Sequence, residues 1–139
     1  MNARTNPITD ARIRVVIADD HSVVRGMVRS ALEQHPNFEV VGEAENGAEA
    51  IEAVKRVQPD VVVLNVTMPL VNGFQAAQEI KKHVPETAIV ILSSHADKHF
   101  VAEAQKIGVR AYVPKSKIGQ SLVEALEAAV KGEDFIILE

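Results

Sequence analysis

Short apolar runs alternate with amphipathic stretches along this chain. Ile13-Arg14-Val15-Val16-Ile17-Ala18 is apolar and ends in Asp19-Asp20, which predicts a first strand with two carboxylates at its carboxyl end. Val24, Val28, Ala31 and Leu32 then fall at i, i+4, i+7 and i+8, one face of a helix that Pro36-Asn37 ends. Residues 38–44 read as a second strand and Asn46-Gly47 as a turn. Ala50, Ile51, Val54 and Val57 stripe a second helix that stops at Gln58-Pro59. Four consecutive large apolar residues follow Asp60, in Val61-Val62-Val63-Leu64-Asn65-Val66, and the loop Thr67-Met68-Pro69-Leu70-Val71-Asn72-Gly73 comes next. That stretch predicts a central strand buried on both faces of a parallel sheet.

The alternation continues to the end. Phe74, Ala77, Ile80 and Val84 face one side of a third helix broken by Pro85, and residues 88–92 form a fourth strand ending in Ser93-Ser94-His95. Phe100, Ala104 and Ile107 mark a fourth helix that stops at Gly108, residues 109–113 a fifth strand, and Pro114-Lys115-Ser116 follows. Leu122, Leu126, Ala129 and Val130 stripe a last helix ending near Gly132, and the tail 134–139 is apolar but too short for a domain. Five strands alternating with five helices predict an α/β fold with right-handed crossovers. The expected architecture is a doubly wound five-stranded parallel sheet of flavodoxin-like order 2-1-3-4-5, with helices on both faces.

Composition narrows the role. With 139 residues the chain forms one domain, expected over residues 12–132, after a leader at 1–11 that frays and before a short tail at 133–139. Leu138-Glu139 has the look of an expression-vector scar. There are no cysteines, so nothing points to secretion or a zinc site, and the cytoplasm is the expected compartment. A net charge of −4 with no dense Lys/Arg block argues against a nucleic-acid surface and favours protein partners. No apolar run is long enough to span a membrane.

The order 2-1-3-4-5 places the reversal between strands one and three, which brings Asp19-Asp20 beside Asn65, with Ser93 and Lys115 on the same rim. Singly, each has a bland reading: an acidic pair capping a helix, a turn-forming asparagine, a loop serine, a solvated lysine. Jointly they suit Mg²⁺-assisted phosphoryl transfer, in which carboxylate oxygens hold the cation, lysine adds a charge and serine a hydroxyl.

These residues also carry a resemblance. Asp19-Asp20, Leu64-Asn65-Val66-Thr67-Met68-Pro69 with Asn72-Gly73, Ile91-Leu92-Ser93, and Ala111-Tyr112-Val113-Pro114-Lys115 together resemble the receiver domain of two-component response regulators, over about residues 11 to 132. His21 after the acidic pair and the Val-Gly-Glu-Ala of strand two look like receivers that precede a LuxR-type helix-turn-helix. The resemblance implies that Asp19, Asp20 and the residue at 65 hold Mg²⁺, and that position 65 accepts phosphate. It further implies that Ser93 and Lys115 contact the phosphoryl group, and that Tyr112 couples the site to the surface of helix four, strand five and helix five. The implied partners are a histidine kinase, a phosphotransfer protein or another signalling protein, with a homodimer formed through that same surface.

Three departures qualify it. Asn65 stands where the family has its phosphoacceptor aspartate, and a neutral amide has no anionic oxygen to attack phosphorus. Asp19, Asp20 and Lys115 then sum to −1 instead of −2, so Mg²⁺ is expected to bind weakly, with Asn65 offering a carbonyl oxygen. Pro114 precedes Lys115 and no proline follows it, which makes a cis bond after the lysine improbable. The helix-turn-helix expected of this type is absent, so the chain is not expected to read DNA through one.

Asn65 fits both a natural degenerate receiver and an engineered, silenced one. On the first reading the chain is a protein-binding module in which Asn65 and Lys115 make a fixed polar contact. A small Mg-dependent phosphatase-like α/β enzyme is an alternative, but such chemistry wants a second aspartate two residues after the nucleophile, which Asp19-Asp20-His21-Ser22 lacks. A flavin or nucleotide binder lacks its Gly-rich loop, and a constitutive scaffold without switching stays open. His21, His35, His83, His95 and His99 are assigned no ligand role, and His21 reads as helix-start surface. Arg25 and Arg29, at i and i+4, read as a solvated helix face rather than a docking patch, although the resemblance implies kinase docking near helix one.

Overall fold

The computed structural model describes residues 12–94 and 98–137. The leader 1–11, His95 and Leu138-Glu139 lie outside the described residues. The elements are β1 (Ile13–Ala18), α1 (Ser22–Glu33), β2 (Phe38–Ala44), α2 (Gly47–Val57), β3 (Val61–Asn65), α3 (Gly73–His83), β4 (Ala88–Ser93), α4 (Lys98–Ile107), β5 (Ala111–Pro114), α5 (Ile118–Val130) and β6 (Phe135–Ile136). A single turn of 3-10 helix, Lys115–Lys117, joins β5 to α5. The sheet is parallel throughout, in the order β2-β1-β3-β4-β5-β6. The doubly wound order is as expected, with a sixth strand added at the edge.

β3 explains why its sequence is apolar without alternation. Val62 and Leu64 enter one core with Ala50, Val54, Ala77, Ile80 and Val101, under α2, α3 and α4. Val61 and Val63 enter a second core with Val28, Leu32, Leu122 and Leu126, under α1 and α5. Successive side chains leave opposite faces of a strand, so a strand covered on both sides must be apolar at every position.

The boundaries that differ from expectation have local causes. β5 begins at Ala111 instead of residue 109, because Gly108 (φ +99°) and Val109 still close α4: Gly108 N–H donates to the Gln105 carbonyl and Val109 N–H to that of Ala104. Asn46 is more than a turn residue; its side chain caps α2 by accepting the Glu49 N–H at 2.8 Å. The apolar tail, too short for a domain, still supplies a strand: Phe135 and Ile136 pair with Ala111 and Tyr112 as β6. Three apolar residues in a row satisfy a sheet edge, whatever their insufficiency for a domain.

Gly73 fixes where the β3–α3 loop lies. Its N–H donates to the Val66 carbonyl at 2.7 Å, and a Cβ on it would stand 2.1 Å from the Asn65 carbonyl oxygen. α3 starts there behind a capping box in which Asn72 Oδ1 accepts the Gln75 N–H and Gln75 Oε1 accepts the Asn72 N–H. Gly73→Ala therefore forces backbone apart beside residue 65. It is expected to lower unfolding free energy by roughly 3 kcal/mol, the upper end for an overpacked site, read from the urea midpoint. An unchanged midpoint would mean that the loop yields freely.

Candidate functional site

The register sets the site. Ala18 lies opposite Leu64, Asn65 opposite Leu92 and Ser93 opposite Pro114. Asp19, Asn65, Ser93 and Lys115 therefore leave adjacent strands at the same end of the sheet. Asp19, Asn65 and Ser93 are buried polar residues in a rim that is otherwise apolar on its inner side. Tyr112, in β5 opposite Ile91, is fully buried.

Two oppositely built pairs face each other. Lys115 Nζ stands 3.1 Å from the buried Asp19 Oδ2, an ion pair, and no aligned hydrogen bond reaches that oxygen. Asp19 Oδ1 accepts the His21 N–H at 2.8 Å. Asn65 turns its amide nitrogen outward along the rim, donating to the Thr67 carbonyl at 2.7 Å and to Asp20 Oδ1 at 3.3 Å. With acceptors on both sides only the nitrogen fits there. Lys115 thus pairs with Asp19 and Asn65 with Asp20, instead of the direct contact expected between Asn65 and Lys115.

The acidic pair does not cap α1. The N-cap is His21, without a side-chain cap bond. Its exposed imidazole places Nδ1 3.3 Å from Asp19 Oδ1 and from Asp20 Oδ1. Ligand atoms of Asp19, Asp20 and His21 lie within 4.8 Å of one another. Sequence reasoning placed His21 at the helix start, where it is, but gave no sign that its ring would turn back onto both carboxylates. The Thr67 carbonyl was equally invisible, because a backbone acceptor carries no residue-type signal.

Arg25 and Arg29 are not a solvated face. Arg25 Nε donates to Glu43 Oε1 at 2.9 Å and its Nη1 to the Asp19 carbonyl at 2.6 Å, while Arg29 Nη2 reaches Glu43 Oε2 at 2.5 Å. One glutamate on β2 takes both guanidinium groups of α1, and Arg25 ties the pair to the backbone of the acidic loop. The Arg29 hydrogen bond, partly opposed by burial and helped by Arg25, lowers the Glu43 pKa below its usual 4.5.

The two carboxylates, with a buried Asp19 oxygen that no aligned hydrogen bond reaches, fit a hard cation such as Mg²⁺, which takes oxygen ligands. Asp19 and Asp20 could hold it. Asn65, as placed, points hydrogens and not its oxygen toward Asp20.

The family model described as "Response regulator receiver domain" matches residues 15–127. This chain belongs to the response regulator receiver domain family. It is 34% identical over 136 residues to the transcriptional regulatory protein DegU of Brevibacillus brevis, a match covering 98% of this chain and 56% of that one. It is 37% identical over 118 residues to the chemotaxis protein CheY of Thermotoga maritima, covering 85% of this chain and 98% of that one. Among solved structures, a two-component response regulator of the LuxR family from an Aurantimonas species superposes with a TM-score of 0.85 at 32% identity, covering 90% of this chain and 89% of that one. The chain spans about half the length of the transcriptional regulators it matches. No described helix is long and apolar enough to cross a membrane.

The Arg25–Glu43–Arg29 clamp predicts a pH dependence. A depressed carboxyl pKa contributes stability that is fully present above the usual value of 4.5 and is lost as pH falls through the folded value. Glu43→Gln is expected to remove that contribution near neutral pH, lowering stability by about 1 kcal/mol, since the side chain is partly exposed. It should also flatten the stability profile below pH 4.5, measured by urea unfolding across pH. Parallel profiles for the two proteins would refute the role of the clamp.

Proposed function

We propose that this chain is a receiver in two-component signalling that is not phosphorylated at position 65 and acts through protein contacts. The observation that carries the reading is Asn65 itself, buried at the end of β3 with its amide nitrogen donating to Asp20 and Thr67. An amide offers no oxygen nucleophile for an acyl phosphate, and here its donor is already engaged by the carboxylate beside it.

The remaining residues keep receiver-like positions. Asp19 and Asp20 would hold Mg²⁺, which supplies charge neutralisation for phosphoryl oxygens when bound. Binding is weak because Asn65 contributes no charge and its N–H must leave Asp20 first. Ser93 and Lys115 border the place a phosphoryl group would take, and Lys115 instead neutralises Asp19. Tyr112 links this rim to the surface of α4, β5 and α5, the surface proposed for a homodimer or for a signalling partner. A histidine kinase or phosphotransfer protein is the proposed upstream partner, docking without transfer, and the proposed compartment is the cytoplasm. Direct DNA reading is not proposed for these residues.

Mg²⁺ and beryllofluoride titrations of this chain beside Asn65→Asp, followed by NMR shifts of Tyr112, Ser93 and Lys115, test the reading. The aspartate variant is expected to bind Mg²⁺ at least about tenfold more tightly, as a third carboxylate joins the ligands, and it alone should respond to beryllofluoride. Labelling of the parent chain at Asp19 or Asp20 by a histidine kinase with ATP would overturn the proposal.

A further inference from the structure

An edge strand presents backbone groups without partners, and natural sheets cover or blunt such edges. At β5 the cover is β6. Phe135 N–H donates to the Arg110 carbonyl at 2.9 Å and Ile137 N–H to the Tyr112 carbonyl at 3.0 Å. Phe135 lies opposite Ala111 and packs on the core under α1 and α5, whereas Ile136 lies opposite Tyr112 and packs on the core that contains Tyr112. The two side chains thus close both flanks of β5 at once.

The attachment is ordered but slight. A turn through Gly132 (φ +79°) brings the chain back, and the Arg110 guanidinium steadies it by donating to the Gly132 carbonyl and standing 3.8 Å from Asp134 Oδ1. Both partners of that ion pair are exposed, and Phe135, Ile136 and Ile137 are only half-buried. β6 is two residues long, against four to seven for the other strands. A segment held by so few groups opens at far lower free energy than the strands it covers.

We propose that residues 135–137 form a displaceable latch, which caps the β5 edge in cis, keeps Tyr112 inside, and closes the α4–β5–α5 face until it lifts. The occupant that competes with it is an extended segment adding to the same edge, because both need the Arg110 and Tyr112 carbonyls as acceptors. What that face binds rests on the receiver reading above; the latch itself rests on the register and hydrogen bonds of β6.

Tyr112 is the single tyrosine of a chain without tryptophan or cysteine, so its fluorescence reports the latch directly and introduced thiols are unique. Phe135→Pro with Ile137→Pro removes both N–H donors from the full chain. Acrylamide quenching of Tyr112 is expected to rise severalfold at an unchanged far-UV circular dichroism spectrum. In a second variant, Ala111→Cys with Phe135→Cys, the oxidised staple should keep parental quenching and reduction should raise it. Should the proline variant fold poorly, this redox pair decides alone. Unchanged quenching in a folded proline variant, or a staple indifferent to reduction, overturns the latch. A failure of the Asn65→Asp titration would touch the receiver reading and leave this measurement standing.

Discussion

A strand with no exposed face can offer solvent only its ends, and β3 is such a strand: Val61, Val62, Val63 and Leu64 are at most 1% exposed and serve two cores in alternation. The polar residue that follows must therefore sit at the rim, where the register sets it beside the ends of β1 and β4. The chemistry of this molecule is a consequence of that double burial. Parallel strands share one direction, so Asp19, Asn65, Ser93 and Lys115, each immediately at or after a strand end, have the same end of the sheet to occupy.

Convergence alone would leave the loops free to wander, and two devices prevent it. Gly73 allows α3 to begin against the Asn65 carbonyl, where any side chain would collide. On the other side of the site, Arg25 joins the Asp19 carbonyl to Glu43 of β2, so the acidic loop is fastened through α1 to the neighbouring strand. Both act through backbone carbonyls, those of Asn65 and Asp19, directly beside the side chains of the rim.

The order of elements and the identities of the rim residues were legible because each rests on a pattern that survives without coordinates. Apolar runs mark β1, β3 and β4, i/i+4 spacing marks the helices, and proline or glycine marks the breaks. What escaped depends on direction or on long-range pairing. Arg25 and Arg29 have the spacing of a solvated face, and only the position of Glu43, from a different element, reveals the clamp. The start of β5 was hidden because Gly108 and Val109 complete the helix before them. β6 was hidden because a two-residue strand has no period to detect, and its existence depends on a vacant edge elsewhere. The orientation of the Asn65 amide likewise follows from the Thr67 carbonyl and Asp20, not from its type.

That orientation changes the electrostatic problem at the rim. An aspartate at 65 would set a third negative group beside Asp20 and the Asp19–Lys115 pair, an arrangement that calls for a divalent ion to relieve repulsion at short range. An amide removes the charge and adds a donor, so the Asp20 oxygen that would have faced another carboxylate accepts a hydrogen bond instead. Lys115 then pairs with Asp19, whose buried Oδ2 lies 3.1 Å from its Nζ. The rim therefore pairs each carboxylate with a nitrogen of its own, Asp19 with Lys115 and Asp20 with Asn65, so a cation entering between the two carboxylates has those nitrogen atoms to displace.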